Sequence, residues 1–232
     1  MKRKRCKSGL KAAAAALALL VGVPSALQAQ DLRTQEIAQC LPGEISTWGD
    51  GIDRPVSERK LVFAYQHQQA PAWFSRAEVL KALQAAAAGW SACGIQAEAH
   101  SSDAPVPAAD RPIVVEWSAT ASRGNFGLAD LGARSLALGP QAFDLLHTRN
   151  PAHDASSTLQ MVISHEMGHF FGIMAHSRRC VDVTSYYRNG KGETCAIRGG
   201  GALVPGVEYR ATLPTACDIA RCRQVNFPAQ RP

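Results

Sequence analysis

Periodic hydrophobic patterning begins near Lys60. Leu61 to Tyr65 (LVFAY) is an apolar run of β-strand length. A helix is predicted next, because Ser75 and Glu78 have the spacing of a capping box and Val79, Leu83, Ala86 and Trp90 recur at helical intervals, with Gly94 closing it. Pro112 to Trp117 (PIVVEW) is the strongest strand pattern in the chain, and Ala133 to Leu138 (ARSLAL) is a weaker one after a Gly-rich loop. Residues 101–111 and 147–157 are polar, lack a period and read as loops. Ser156 or Ser157 then caps a helix from about Thr158 to Phe171, with Gly172 at its end. Gly-rich stretches follow until Thr215, where Asp218 supplies capping-box spacing for a last short helix.

Upstream of Lys60 the pattern changes. Lys2, Arg3, Lys4, Arg5, Lys7 and Lys11 precede and flank an apolar run from Ala12 to Val23, and small residues follow at Ser25, Ala26 and Ala29. This is the three-part pattern of a signal peptide over residues 1–29, with cleavage expected after Ala29. At 12 residues the run falls short of the roughly 20 that a membrane-spanning helix requires. Residues 30–59 are turn-rich, with LPGE at Leu41 to Glu44 and GDGIDRP at Gly49 to Pro55, and read as an irregular arm. Residues 60–232 are expected to form a single domain, with an upper lobe to about residue 172 and a lower lobe over 173–232.

The leader also changes the meaning of the charge. Its six cations account for the whole formal excess of +6, so the remaining chain is balanced, and no net basic field steers it toward nucleic acid or anionic lipid. Export places the other six cysteines, Cys40, Cys93, Cys180, Cys195, Cys217 and Cys222, in an oxidising compartment where three disulfides are expected. Cys40 is expected to pair with Cys93. Cys217 and Cys222 point apart if one helix carries both, so they are expected to bridge to Cys180 and Cys195.

The chemistry lies in SHEMGHFFGIMAHS, where His165, Glu166 and His169 form HExxH. Positions i and i+4 of a helix share a face, so two imidazoles can meet one Zn²⁺. Glu166 is placed to take a proton from a water that the ion acidifies as that water attacks a carbonyl. If the helix continued, His176 would lie about 16 Å along the axis from His165, so the chain must turn back at Gly172 for His176 to become a third ligand.

With Gly172 and His176 included, the segment resembles the HExxHxxGxxH signature of metzincin metallopeptidases, matrixins among them. Three residues (Ile173, Met174, Ala175) separate the Gly from the third His where the family has two. Asp182 to Tyr187 (DVTSYY) looks like the family's Met-turn with Thr184 in the place of Met. The resemblance implies an α+β, metzincin-like zincin: a mixed twisted sheet, a long backing helix, a zinc-binding active-site helix and a small irregular C-terminal lobe. It implies a secreted zinc endopeptidase, extracellular or periplasmic, with His165, His169 and His176 as ligands, Glu166 as general base and Tyr186 as a second catalytic residue. Asp182 is the alternative third ligand, as in aspartate-liganded relatives. An extended polypeptide substrate is expected along Gly132 to Leu138, with a pocket wall from Tyr187 to Gly200. The competing reading is an inactive secreted binding protein on the same fold, which Ala175 and Thr184 favour and Glu166 opposes. Nothing in the sequence calls for Ca²⁺, and His147, His153 and Asp154 are the nearest approach to a second ion site. Cys40 lacks the context of an inhibitory propeptide cysteine.

Overall fold

The structure, a computed structural model, describes residues 26–103 and 111–228. In chain order the helices are α1 (Ala26–Ala38), α2 (Arg76–Ser91), α3 (Ala119–Ser122), α4 (Pro140–Arg149), α5 (Ala155–Phe170) and α6 (Ala216–Asn226). The strands are β1 (Lys60–Tyr65), β2 (Gln96–Ser101), β3 (Ile113–Trp117), β4 (Gly127–Asp130) and β5 (Ser135–Leu138). The class is α+β, with one mixed sheet in the order β2-β1-β3-β5-β4. β1 pairs in parallel with β2 and β3, β3 pairs in parallel with β5, and β4 runs antiparallel to β5 along the edge.

The apolar run of β1 is explained by its position inside the sheet, where Leu61 to Tyr65 are all buried. α2 is held at its start by the expected Ser75–Glu78 capping box and buries Val79, Leu83, Ala86, Ala87 and Trp90. It packs against β2 and α5, and Trp90 Nε1 donates to Ser164 O at 2.8 Å, so one buried polar group ties the two helices together. Phe63 of β1 meets Phe170 of α5 edge to face at 5.8 Å. Sheet, backing helix and α5 thereby share one core. The last helix also starts as expected, at a Thr215–Asp218 capping box.

Several expectations are corrected. The arm is not irregular throughout, since α1 opens it and the last four residues of the expected leader form its first turn; residues 1–25 of that leader lie outside the described residues. β2, α3, β4 and α4 have no counterpart in the predicted elements: α3 and β4 lie in the expected Gly-rich loop, and α4 takes the start of the expected loop at 147–157. The cap of α5 is Asp154, not Ser156 or Ser157, whose N–H groups it accepts at 3.0 and 3.2 Å. The Ala133–Leu138 run lies inside the sheet as β5, so the strand at the edge is β4. The three disulfides are Cys40–Cys217, Cys93–Cys222 and Cys180–Cys195. Cys217 and Cys222 do not pair with each other, as the helix requires, but their partners are Cys40 and Cys93 rather than the cysteines of the lower lobe. Among the described residues, no helix is long and apolar enough to cross a membrane.

Candidate metal centre

α5 turns Leu159, Ile163, Met167 and Phe170 into the core. His165 and His169 share its other face, one turn apart. The helix ends in a Schellman turn: Gly172 N–H donates to His169 O at 3.1 Å and Ile173 N–H to Gly168 O at 3.2 Å. Gly172 has φ +89°, and a Cβ there would meet Arg54 O at 2.1 Å, so both conformation and space require glycine. The chain reverses as expected, and His176 returns to the pair. The extra residue is absorbed just before it, where the N–H groups of Met174 and Ala175 both donate to Asp53 Oδ1, at 2.8 and 3.0 Å.

The three imidazoles form a nearly equilateral triangle, with ring centroids 5.4, 5.1 and 5.5 Å apart. Each Nδ1 has a partner outside the triangle: Val183 O at 2.8 Å for His165, Ile173 O at 2.7 Å for His169, and Asp50 Oδ2 at 2.7 Å for His176. Carbonyls and a carboxylate accept, which assigns the proton to Nδ1 and leaves each Nε2 lone pair facing inward. One ring nitrogen of each lies within 4.8 Å of the other two, close enough to hold a metal ion. His176 Nε2 is buried with no hydrogen-bond partner, the condition a metal ion relieves. Burial lowers all three imidazoles, His165 well below its ordinary value and His169 to about 4, so they are neutral near pH 7 as ligands have to be.

Glu166 lies beside this triangle, its Oε2 4.0 Å from His169 Nε2 and accepting Ala129 N–H at 2.9 Å. Burial pushes its carboxyl up to about 7, against the Ala129 bond, which lowers it. The close approach of β4 depends on Gly127, where a Cβ would come within 2.6 Å of Val162 Cγ1 and 2.7 Å of Glu166 Cγ. Tyr186 stacks on His176 at 3.7 Å and is 43% exposed at the cleft. Burial raises its phenol, which stays protonated at neutral pH. These groups open into a cleft of ≈ 380 Å³ walled by β4, α5, Met174, Tyr186 and Arg210. The expected Tyr187–Gly200 wall does not line it; Tyr186 and Arg210 do.

Asp182 does not join the triangle. Its carboxylate accepts from Ser177 Oγ at 2.6 Å, Arg179 at 3.0 Å and Thr215 Oγ1 at 2.7 Å. Burial, then the neighbouring Asp218, raises its pKa. Thr184 gives its hydroxyl to Asp218 Oδ1 at 2.6 Å, which ties the 182–187 turn to the cap of α6 while Val183 O supports His165. Nor do His147, His153 and Asp154 converge: His147 stacks on Trp73 at 4.5 Å, His153 Nε2 lies 2.7 Å from Thr158 Oγ1, and Asp154 caps α5. Cys40 is oxidised and offers no thiolate.

Sequence reasoning missed Asp50, Asp53, Arg210 and the Ala129 amide. Only the two aspartates left a signal, the DxxD of the turn-rich Asp50–Asp53 stretch, and nothing local to it indicates a target more than 120 residues away.

Comparison with protein-family models and with curated proteins finds no match. Among solved structures, a chain of the structure titled "GM1 bound form of the ECX AB5 holotoxin" is similar, at 12% identity and a TM-score of 0.43, over 81% of this chain and 91% of that one. A likeness at that level decides neither fold family nor activity.

Proposed function

We propose that the chain is an exported, metzincin-like zinc endopeptidase that cuts extended polypeptides. The observation that carries this is the convergence of three inward-facing imidazole nitrogens beside a buried carboxyl raised to about 7, at the floor of an open cleft. Three protein nitrogens with a further position open are the donor set of a catalytic zinc site, and the unpartnered Nε2 of His176 fits a cation there. His165, His169 and His176 would hold the zinc, which when bound would supply Lewis acidity for the scissile carbonyl and acidify water toward a pKa of about 7.

The rest is the work of this chain's own groups. Glu166 takes the proton of the attacking water at its carboxylate and returns it to the leaving amine; its buried carboxyl beside the three imidazoles is placed for both transfers. Tyr186, protonated at the cleft wall, donates to the oxygen on which negative charge develops. β4 is the last strand of the sheet and faces the cleft, so its edge offers backbone pairing to an extended peptide. Three disulfides and the leader pattern support export.

The test is metal content of the purified chain together with digestion of casein and of a peptide library. About one zinc per chain and internal cleavage, both abolished by chelation, are the expected results. A chain that takes up zinc and cleaves nothing would favour the binding-protein reading.

A further inference from the structure

We infer that Asp50, from the arm ahead of the first strand, is a positioning residue that presents His176 to the metal. The inference rests on the zinc reading and extends it to a residue outside the zinc motif. The other two histidines are oriented by backbone carbonyls of nearby segments, Val183 O and Ile173 O. His176 alone leans on a side chain, and it does so twice, since Asp50 Oδ1 accepts its backbone N–H at 2.9 Å while Oδ2 lies 2.7 Å from its Nδ1.

The surrounding arm is built to hold that carboxylate. Trp48 N–H donates to His176 O at 3.0 Å and Arg178 N–H to Ser46 O at 2.9 Å, so the arm runs antiparallel beside residues 176–178, bridging at Thr47 and Ser177. Arg178 also stacks over the Trp48 ring at 4.8 Å. His176 is the ligand that needs this help. It arrives after the turn at Gly172 with an extra residue, on irregular backbone, whereas His165 and His169 are fixed by α5 itself. A carboxylate on Nδ1 fixes the tautomer and ring plane and makes Nε2 a stronger donor, and loss of such a partner typically costs 10- to 100-fold in metal affinity. The arm therefore supplies part of the metal site.

Asp50→Asn is close to isosteric and keeps one acceptor while removing the charge. In the full-length chain, zinc Kd measured by competition with a chromophoric chelator is expected to rise roughly 10- to 100-fold, with a changed visible spectrum of the Co²⁺-loaded form. Asp50→Glu is expected to recover part of the affinity, and the metal-free Asp50→Asn chain is expected to melt close to the parent. Unchanged Kd and Co²⁺ spectrum in Asp50→Asn would overturn the inference. So would a metal-free Asp50→Asn chain that does not fold, which would assign Asp50 to the fold instead. A parent chain that takes up neither zinc nor Co²⁺ would overturn the zinc reading itself.

Discussion

Arg221 grips Asp53 with two prongs, Nε to Oδ2 and NH2 to Oδ1, each at 2.6 Å, across 168 residues of chain. The same Arg221 NH2 donates to Ala175 O at 2.5 Å, and Asp53 Oδ1 takes the N–H groups of Met174 and Ala175. The pair therefore clamps the segment between Gly172 and His176 from two sides, Asp53 in the arm and Arg221 on α6.

Acid should release this clamp. Burial raises the Asp53 carboxyl, but Arg221 and the two backbone N–H groups outweigh it and leave the pKa below the ordinary 3.8. A folded value below the unfolded one stabilises the fold above the unfolded pKa and is lost as pH falls through the folded value. Asp53→Asn is expected to cost about 3 kcal/mol near neutrality, because it strands a buried guanidinium. Urea unfolding of parent and variant should show that gap shrinking between about pH 5 and about pH 2. A gap that stayed constant across that range would refute the assignment.

Glu166→Gln is expected to keep the metal and lose catalysis. The amide oxygen can still accept from Ala129 N–H, and none of the three imidazoles is touched. The rate should fall by about 10² to 10⁴ or more, with zinc content unchanged by elemental analysis. Parent-like turnover in the zinc-loaded variant would remove Glu166 from the mechanism.

His176→Ala and Asp182→Asn should separate the two ligand sets. Asp182 is occupied by Ser177, Arg179 and Thr215, so its variant is expected to retain full zinc content. His176→Ala should lose more affinity than the roughly 10- to 100-fold expected for an outer partner. Chelator titration of both variants decides the matter, and the reverse ranking would put the aspartate on the metal.

The bridges should differ in worth. Cys93–Cys222 closes 129 residues and Cys180–Cys195 closes 15. Paired Cys→Ala variants are expected to lose about 5 and about 3 kcal/mol respectively on loop-closure grounds. Denaturant unfolding ranks them, and peptide mapping without reduction should recover Cys40 with Cys217.

What the sequence disclosed was local. The capping boxes at Ser75 and Thr215, the buried run of β1 and the HExxH of α5 are each written within a few neighbouring residues, and each stands in the structure. β2 (QAEAHS) and β4 (GLAD) were hidden because edge strands of small and polar residues owe their form to a partner. α4 buries only Pro140 and Phe143, too little for a helical stripe to stand out. Of the site, the three converging imidazoles and the buried Glu166 beside them were legible. Asp50, Asp53 and the disulfide partners were not, because they are defined by what the chain meets after it folds.

Cys217 and Cys222 bring a matter of timing. Both stand on α6, and they reach back 177 and 129 residues to Cys40 and Cys93. Synthesis runs from the N-terminus, so neither long bridge can close until α6 has emerged, and Arg221, which clamps Asp53, arrives on the same helix. A nascent chain carries its arm and all three imidazoles well before it can fasten them together. Assembly of the site thus waits on a helix made after all three histidines, and a chain stalled or clipped before α6 is left with its histidines but without the two bridges and the arginine that secure them.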